Sequence, residues 1–500
     1  MMADRNPAPG VSLQRLLQGL AAPLPAPDLQ AGGLNLDSRA IVPGEVFLAL
    51  KGYRGDGSRY ILDAVHRGAM AVLLEEGLTA PDGIGVPVIP VADLRGKAGV
   101  IAARFYGRPS EKYPVIGITG TNGKTSVCHF IAQALSGRGE KVGCIGTLGY
   151  GLFPDLEPGP HTTPDAVTVQ RLLAGFAAAA AGHAVMEVSS HALDQGRING
   201  IDFDIAVFTN LSHEHLDFHG DMAGYAAAKR KLFQVPGLGA AVINANDEFG
   251  RELLAEHAEG VPAIGYATAA EDAVAPDAAL LARLIPLGTD GQELDIHGPW
   301  GSGRLRTPLI GRFNADNLLA ALAVLCLLEV PFEEAVQRLA VVRPVPGRME
   351  VFGGAGAAVI VDYAHTPDAL EQALATLKGL CRGRLVCIFG CGGDRDRDKR
   401  PLMGRVAERY ADRVVITSDN PRGEDPRAII EDITAGMTGT AEMVIDADRA
   451  GAITTAVRAA RPEDVILIAG KGHETWQEIA GRRFPFSDRQ LVRNLVGEGP

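Results

Sequence analysis

The stretch Val115-Ile-Gly-Ile-Thr119, followed by Gly120-Thr-Asn-Gly-Lys-Thr-Ser126, decides the fold of this chain. Its first five residues predict a buried strand, and the apolar spacing after the second segment predicts a helix: Val127, Phe130, Ile131 and Leu135. A Gly-rich turn between a strand and a helix lets backbone N–H groups surround phosphate oxygens at the positive end of the helix dipole. The stretch therefore predicts a phosphate-binding loop.

The chemistry of the loop indicates a nucleotide. Lys124 would reach the outer phosphates, and Thr125 would bind Mg²⁺. The strict form of such a loop requires glycine at position 118, where this chain has Ile118. The alternative is a Gly-rich turn with an incidental lysine, but the flanking strand and helix favour nucleotide binding. The predicted contacts to ATP are Gly120, Thr121, Asn122, Gly123, Lys124, Thr125 and Ser126.

Similar apolar runs recur along the chain, each followed by a polar or Gly-rich loop. They cover residues 184–188, 205–209, 359–362, 385–389, 414–417 and 465–469. Short, nearly continuous apolar strands separated by helix-length segments are typical of parallel sheets covered on both faces. The sequence predicts an α/β fold, with chemistry in the loops at the carboxyl ends of the strands.

Length and composition fit a protein of several domains. The chain has 500 residues, of which 46% are hydrophobic and 22% charged, and its net charge is −12. Pro- and Gly-rich segments at 107–114 and 343–348 predict domains at 1–112, 113–343 and 344–500. The acidic balance argues against a general nucleic-acid binder, although it is compatible with an anionic small-molecule substrate.

The sequence also indicates a cellular compartment. Six cysteines form no CxxC pair and no metal-ligand spacing, and no apolar run approaches the roughly 18 residues needed to span a bilayer. The first residues lack the pattern of a signal peptide. We expect a reduced, cytoplasmic protein that acts as a monomer on small molecules and does not insert into membranes.

Further motifs follow in a fixed order along the chain. They are Met186-Glu-Val-Ser-Ser-His191, Thr209-Asn-Leu-Ser-His-Glu-His-Leu-Asp217, Gly311-Arg-Phe-Asn-Ala-Asp-Asn317, Val345-Pro-Gly-Arg-Met-Glu350, Asp362-Tyr-Ala-His-Thr-Pro-Asp368 and Gly470-Lys-Gly-His-Glu474. Together with the phosphate loop, they resemble the ATP-dependent Mur ligases and the related folylpolyglutamate synthases over nearly the whole chain. The resemblance implies three domains: a smaller N-terminal α/β domain, a central P-loop ATPase-like domain with a parallel sheet, and a C-terminal Rossmann-like domain.

The implied reaction is amide formation through an acyl phosphate. ATP phosphorylates a substrate carboxylate, an amine attacks, and phosphate leaves. The resemblance implies that Lys124, Lys229, Arg348 and Asp362 are catalytic, and that Asn317 and Arg348 also contact ATP. For Asp362, the residues alone leave open a strand-end acid that caps the next helix.

The family's metal ligands map onto Thr125, Glu187, His215 and Lys229. In these ligases the lysine is carbamylated by CO₂, which inverts its charge and provides oxygens for Mg²⁺. The residues alone favour an alternative, in which Lys229 is one of several solvated cations with Arg230 and Lys231 on a helix.

The resemblance also implies a nucleotide-sugar peptide substrate, UDP-MurNAc-L-Ala-D-Glu. Its implied contacts are Ser38, Thr162, Thr163, Ser189, Gln195 and Arg197. The chain departs from close relatives at His161, where asparagine is common, and at Glu214, where aspartate is common.

Asp419-Asn-Pro-Arg422 resembles the signature of members that add meso-diaminopimelate. The implied contacts to this amino acid are Arg395, Asp419, Asn420, Pro421, Arg422, Gly470 and Glu474. An arginine can hold the extra carboxylate that distinguishes diaminopimelate from lysine. Arg395 lies in an alternating charge run, 394–400, that could be a solvated loop. The alternatives are a lysine-adding Mur ligase, a folylpolyglutamate synthase and an ATP-hydrolysing switch.

Overall fold

The computed structural model describes residues 10–22, 28–52, 55–257, 260–269, 279–353 and 356–497. Its N-terminal region contains β1 (Val11–Ser12), β2 (Gln30–Ala31), β3 (Gly33–Asn35), β4 (Glu45–Ala49), β5 (Ala71–Glu75) and β6 (Val88–Val91), with helices α1 (Leu13–Leu17), α2 (Ile61–His66) and α3 (Leu94–Phe105). Strands β3-β4-β5-β6 pair in parallel in that order and form the N-terminal sheet.

The central region follows. Its strands are β7 (Val115–Thr119), β8 (Val142–Gly146), β9 (Gly149–Leu152), β10 (Asp155–Glu157), β11 (His183–Glu187), β12 (Ile205–Phe208), β13 (Ala240–Asn244), β14 (Ala263–Ala269), β15 (Leu280–Pro286), β16 (Gln292–Gly298) and β17 (Gly301–Thr307). Its helices are α4 (Lys124–Ser136), α5 (Ala166–Ala178), α6 (Ser190–Asp194), α7 (Leu216–His219), α8 (Met222–Arg230), α9 (Glu248–Glu256), α10 (Arg312–Leu327) and α11 (Phe332–Ala340).

The central strands form one sheet with the order β10-β9-β8-β11-β7-β12-β13-β14-β15-β16-β17. Its middle is parallel from β8 to β15, and antiparallel strands extend both edges. All five residues of β7 are buried, because α4 and α10 pack on one face of the sheet and apolar side chains cover the other.

The C-terminal region contains β18 (Glu350–Phe352), β19 (Ala358–Asp362), β20 (Leu385–Phe389), β21 (Arg413–Ile416), β22 (Glu442–Ile445), β23 (Val465–Ala469), β24 (Trp476–Ile479) and β25 (Arg482–Pro485). Its helices are α12 (Pro367–Leu380), α13 (Lys399–Tyr410), α14 (Pro426–Thr434), α15 (Arg449–Ala459) and α16 (Asp488–Val496). The C-terminal sheet has the order β18-β19-β23-β20-β21-β22 and is parallel except for β18, while β24 and β25 form a separate hairpin.

The predicted α/β fold of three domains is confirmed, and each predicted strand matches an observed one to within one residue at either end. The domain divisions after residues 112 and 343 stay a prediction. The six cysteines are free. Within the described ranges, no helix is long and apolar enough to cross a membrane.

Strand order determines where the functional loops meet. In the central sheet β11, β7 and β12 are neighbours, and in the C-terminal sheet β19, β23, β20 and β21 are neighbours. Parallel neighbours end at the same edge of a sheet, so the loops that follow them lie side by side.

The N-terminal domain packs on the central domain through a close approach of backbone to backbone. Gly99 of α3 lies directly against the carbonyl oxygen of Asn199, so a side chain at this position would overlap that oxygen. The side chain of Asn199 donates a hydrogen bond to the carbonyl oxygen of Gly96, 2.9 Å away.

We predict that Gly99→Ala lowers the free energy of unfolding by about 1–3 kcal/mol, because the added methyl group forces the helix away from Asn199. Gly175→Ala is the matched control, since Gly175 also lies in a helix but has open space around it. The control should be neutral or stabilising by up to about 1 kcal/mol. Denaturant unfolding of both variants measures the difference, and equal stability would contradict the packing argument.

Candidate active site

Lys124 forms hydrogen bonds with the backbone of the phosphate loop. The ammonium of Lys124 donates hydrogen bonds to the carbonyl oxygens of Gly120 (2.7 Å) and Thr121 (2.9 Å). Gly123 directly precedes α4 and has a φ of +86°, and the side-chain oxygen of Asn317 lies where a Cβ would project. The loop thus has the strand, turn and helix that the sequence predicted, and Asn317 lies against it.

Glu187 lies at the end of β11, beside the phosphate loop, and is buried. Its carboxylate accepts hydrogen bonds from the Thr125 hydroxyl (3.0 Å) and from the backbone N–H and the hydroxyl of Thr147 (2.8 and 3.1 Å). These donors hold both oxygens of the carboxylate in place. The sequence reasoning missed Thr147, although its position directly after strand β8 could have indicated it.

Lys229 is buried, with only 1% of its surface exposed. Its ammonium lies 4.2 Å from the centre of the Tyr225 ring, and the Tyr225 hydroxyl is 3.2 Å from that of Thr121 in the phosphate loop. Within the described part of the chain, Lys229 forms no hydrogen bond and no ion pair. By contrast, the Lys231 side chain is 46% exposed and pairs with Asp194. The alternative interpretation of Lys229 as a solvated cation is therefore wrong.

Electrostatics favours the neutral form of Lys229. Burial lowers its pKa well below the ordinary value for lysine, and the nearby charge of Lys124 lowers the pKa further. The carboxylates of Glu214 and Asp247 oppose this effect only in part. The result is an amine without a hydrogen-bonded counterion next to the phosphate loop.

His215 completes the predicted metal set. It has a φ of +57°, and its ring centre lies 4.8 Å from that of His191 and 6.2 Å from that of Tyr225. The contacts around Tyr225 thus bring His215, Lys229 and the phosphate loop together.

The side chains at this site could provide only some of the oxygen ligands that Mg²⁺ requires. In the described residues no group of three or more histidine, cysteine, aspartate or glutamate side chains is arranged to hold a metal ion. Mg²⁺ commonly takes one or two carboxylates together with phosphate oxygens and water. The buried, pre-oriented carboxylate of Glu187 fits that pattern, and the remaining oxygens would come from phosphate groups and water.

Arg348 and Asp362 approach from the C-terminal domain. The Asp362 carboxylate accepts hydrogen bonds from the backbone N–H groups of Met349 (2.7 Å) and Ala364 (2.8 Å), and burial raises its pKa against the opposing charge of Arg348. Thr366, rather than Asp362, caps α12. The interpretation of Asp362 as a helix cap is therefore wrong.

Arg348 itself lies over an aromatic ring. Its guanidinium carbon lies 4.4 Å from the centre of the Tyr363 ring, and its buried Nε has no hydrogen-bond partner in the described residues. The group is oriented by stacking while part of its hydrogen-bonding capacity stays unused.

Two contacts join the central and C-terminal domains at this site. Glu214 Oε1 lies 3.7 Å from His365 Nε2, and the amide of Asn122 donates to Asp368 at 3.3 Å. Burial raises the pKa of Glu214, but the attraction of His365 and His215 outweighs it and places that pKa well below the usual range. Glu214 is therefore negatively charged, and it lies near His215 of the central domain and His365 of the C-terminal domain.

The predicted peptide contacts of the central domain cluster next to Glu187. The Thr163 hydroxyl donates to the Glu187 carbonyl (2.8 Å) and accepts from the Ser189 N–H (3.0 Å). Arg197 donates to the Thr163 carbonyl (2.7 Å) and to the Gln195 side chain.

Two further predicted contacts, Thr162 and Ser38, and the departure from close relatives at His161 lie around or beyond this cluster. The hydroxyl oxygens of Thr162 and Thr147 are 3.1 Å apart. His161 is exposed, and its backbone N–H donates a hydrogen bond to the Tyr150 hydroxyl. Ser38 is buried in the N-terminal domain beside Asp63. None of the described contacts joins Ser38 to the central domain.

The residues predicted to recognise the amino acid lie around two loops of the C-terminal sheet. A Cβ at Gly392 would meet the side chains of both Arg395 and Arg422, so the two arginines flank the same backbone position. Arg395 is exposed, whereas the guanidinium of Arg422 donates to the Gly393 carbonyl at 2.8 Å. The structure brings these two arginines together.

Acidic and amide groups complete the same region. Glu474 Oε2 accepts hydrogen bonds from Lys471 (2.7 Å) and from the Asn420 amide (2.8 Å), and Asp419 lies against Gly470. Pro421 is buried between Asn420 and Arg422. Glu474 Oε1 has no donor among the described residues, so one oxygen of this carboxylate stays free for a ligand. The sequence reasoning missed Lys471, which is completely buried.

Comparison with known proteins identifies the class. Residues 31–106 match the profile of the Mur ligase family catalytic domain, 118–325 match the Mur ligase middle domain, and 347–472 match the glutamate ligase domain of Mur ligases. The chain belongs to the Mur ligase family. It is an ATP-dependent ligase, as the resemblance implied.

Individual relatives are similar over nearly the full length. The chain is 51% identical over 497 residues to UDP-N-acetylmuramoyl-L-alanyl-D-glutamate–2,6-diaminopimelate ligase of Alkalilimnicola ehrlichii, covering 97% of this chain and 99% of the relative. It is 48% identical over 489 residues to the ligase of the same name from Coxiella burnetii, covering 97% and 100%. A solved structure of a ligase with that name matches with a TM-score of 0.70 at 35% identity, covering 98% and 99%.

We predict that Gly123→Ala abolishes ADP binding, because the new methyl group collides with the side chain of Asn317 and distorts the phosphate loop. Gly139→Ala is the matched control: its φ of +84° nearly equals the +86° of Gly123, but its surroundings are open. Each substitution should cost about 1–2 kcal/mol of stability for the left-handed backbone alone. Calorimetric titration with ADP separates the two effects, and ADP binding by Gly123→Ala at wild-type affinity would refute the collision.

Proposed function

We propose that this chain adds meso-diaminopimelate to the D-glutamate of UDP-MurNAc-L-Ala-D-Glu, in the synthesis of peptidoglycan precursors. The observation that carries this proposal is a pair of arginines, Arg395 and Arg422, that lie against Gly392. The half-free carboxylate of Glu474 is bound by Asn420, two residues before Arg422. Diaminopimelate differs from lysine by a carboxylate next to its distal ammonium. A site with a guanidinium and a carboxylate matches both charges of that distal carbon.

The first chemical problem is repulsion between anions. The carboxylate of the D-glutamate must approach the γ-phosphate of ATP, and both are negatively charged. Lys124 would exchange its two loop carbonyls for phosphate oxygens, and Arg348 would place its stacked guanidinium beside the transferred group. Asp362, whose carboxylate binds the Met349 N–H, positions the backbone next to Arg348.

Thr125, Glu187, His215 and Lys229 would hold Mg²⁺, which neutralises charge on the phosphate chain when it is bound. An ammonium at Lys229 would repel such an ion. CO₂ reacts with neutral amines, and burial favours the neutral form of Lys229. Carbamylation would convert this residue into an anion with two oxygens, which supports its place in the metal set.

The second step is attack on the acyl phosphate by the amino group of diaminopimelate, after which phosphate leaves and the amide bond remains. The two domain-bridging contacts, Glu214 with His365 and Asn122 with Asp368, support a closed arrangement in which the amino acid meets the activated acid. Such closure excludes water, which would otherwise hydrolyse the acyl phosphate.

The nucleotide-sugar peptide would lie across the N-terminal and central domains. Ser38 would contact its UDP moiety, while Thr162, Thr163, Ser189, Gln195 and Arg197 would hold the muramoyl peptide. We place the reaction in the cytoplasm, on a monomer, with three small-molecule substrates.

An amino-acid screen at fixed UDP-MurNAc-L-Ala-D-Glu and ATP tests the proposal, with phosphate release as the readout. Release should require both the nucleotide substrate and meso-diaminopimelate, and lysine should be a poor replacement because it leaves an arginine unpaired. Phosphate release that is equal without these substrates would instead support an ATP-hydrolysing switch. Preference for lysine, or for glutamate with a folate, would support the other ligases.

We predict that Arg422→Ala raises KM for diaminopimelate by about 10- to 100-fold, because a charge-assisted contact to the distal carboxylate is lost. Lysine turnover should change little, so the preference for diaminopimelate falls. Arg409→Ala is the control, since Arg409 lies on the outside of the same domain with 70% of its side chain exposed. An unchanged preference in Arg422→Ala would remove this residue from amino-acid recognition.

We predict that Lys229→Ala reduces kcat by about 10²-fold or more, because the metal set loses one member. Short-chain carboxylic acids added to the assay should restore part of the activity by replacing the carbamate. Lys231→Ala, on the exposed side of the same segment, should keep wild-type activity. Full activity of Lys229→Ala without additives would exclude a role in metal binding.

A further inference from the structure

Two loops carry the arginines that flank Gly392. The loop after β20 (390–398) carries Arg395, and the loop after β21 (417–425) carries Arg422. Neither loop has regular secondary structure through most of its length, yet the two are connected by a dense set of polar contacts. We infer that Glu424 and Arg400 are positioning residues for amino-acid selection: their ion pair locks the two loops together and fixes the separation of Arg395 and Arg422.

Arg400 is the buried half of this pair. Its side chain is completely buried, and its guanidinium donates to Glu424 at 2.9 and 3.1 Å and to Asp432 at 2.8 Å. It also donates to the carbonyl of Gly392 at 3.3 Å. Arg400 therefore joins the first loop to the second loop and to helix α14. The interpretation of 394–400 as a merely solvated charge run is wrong at this residue.

Glu424, on the second loop, accepts several hydrogen bonds. Besides those from Nη1 and Nη2 of Arg400, its carboxylate accepts hydrogen bonds from the backbone N–H of Asp394 at 2.6 Å and from the side chain of Arg397 at 2.9 Å. The contact with Arg400, together with the Asp394 N–H, lowers the pKa of Glu424 to about 2, so the carboxylate is charged at physiological pH. Its donors all come from the first loop or from the helix that follows it.

Backbone contacts reinforce the same connection. Asp394 accepts from the Gly423 N–H at 3.0 Å, and the Gly393 N–H donates to the Asn420 carbonyl at 2.9 Å. Arg422 closes the set by donating to Gly393. Residues close to each recognition arginine are thus bonded across the gap between the loops.

The β24–β25 hairpin forms backbone hydrogen bonds with the second loop. The Arg422 N–H donates to the Glu478 carbonyl at 3.0 Å, and the Ala480 N–H donates to the Arg422 carbonyl at 2.7 Å. These bonds maintain Arg422 at a φ of +52°, a conformation that a non-glycine residue rarely adopts. The Arg422 backbone is therefore fixed from both sides, and Glu424 determines where the first loop lies against it.

Fixed loops allow the two arginines to select the amino acid. Two guanidinium groups discriminate a carboxylate from a hydrogen only if their positions are set before the ligand arrives, and displacements of about 1 Å can cost 10²-fold in rate. This inference rests on the proposed function, because it concerns how the same site selects its amino acid.

The test is Glu424→Gln, which keeps the shape of the side chain but removes its charge. KM for diaminopimelate should rise about tenfold or more while KM for ATP and kcat at saturation stay within about twofold, and the preference over lysine should fall. A merely structural role would lower thermal stability without changing that preference.

Glu408→Gln is the matched control. Glu408 lies in the same domain, accepts four hydrogen bonds from residues 438–440, and has its pKa lowered to about 2 as well. It makes no described contact with either loop. This variant should lose comparable stability while keeping its KM for diaminopimelate and its preference.

A milder variant covers the case in which Glu424→Gln does not fold. Asp394→Gly keeps the left-handed backbone of this exposed residue and removes only the acceptor of the Gly423 N–H. Asp394→Gly should also raise KM for diaminopimelate and lower the preference for diaminopimelate over lysine. Wild-type KM and preference in a folded variant would overturn the positioning role. Lack of turnover of diaminopimelate by the wild-type enzyme would instead overturn the proposed function.

Discussion

The structure depends on one geometric constraint, which is that neighbouring parallel strands end at the same edge of a sheet. Strands β11, β7 and β12 therefore present Glu187, the phosphate loop and the segment with Glu214 and His215 within reach of one another. The C-terminal sheet obeys the same rule through β19, β23, β20 and β21. Since the edges of both sheets contribute residues that contact one another, a single crevice can receive groups from the central and C-terminal domains.

Charge is distributed within this crevice in two different ways. Near the phosphate loop, Lys124 and Lys229 form no ion pair with a carboxylate of the described residues: Lys124 binds backbone carbonyls, and Lys229 faces an aromatic ring. In the loops around Arg422, most charges are already matched, as in Arg400 with Glu424 and Lys471 with Glu474. The first arrangement suits a highly charged substrate, whereas the second suits the precise placement of a few contacts.

Much of the fold could be predicted from the sequence, because apolar strands and their turn residues are local signals. The strand before the phosphate loop and the helix after it are examples, since both are encoded by consecutive residues. Burial of individual charged residues could not be predicted in this way. Lys229 and Lys231 lie two positions apart on similar sequence, and only the packing of Tyr225 and the phosphate loop determines which of them is buried.

The same limit applies to the candidate site. The motifs indicated Thr125, Glu187 and Asp362, but not Thr147, which binds Glu187 and lies outside the motifs. Met349 lies within a motif, but the sequence did not pair its N–H with Asp362. Arg400 lies in a charge run in which alternating signs hide the one arginine that is completely buried. Long-range partners of this kind depend on the three-dimensional fold, which a single sequence does not contain.

The ammonium of Lys124 binds the backbone of the phosphate loop that carries it. Because these two hydrogen bonds lie within the chain, the conformational entropy of ordering the loop is lost when the chain folds rather than when ATP arrives. A nucleotide whose phosphates bind Lys124 must displace both bonds, which lowers its net affinity, but its binding does not also include the entropy of ordering the loop.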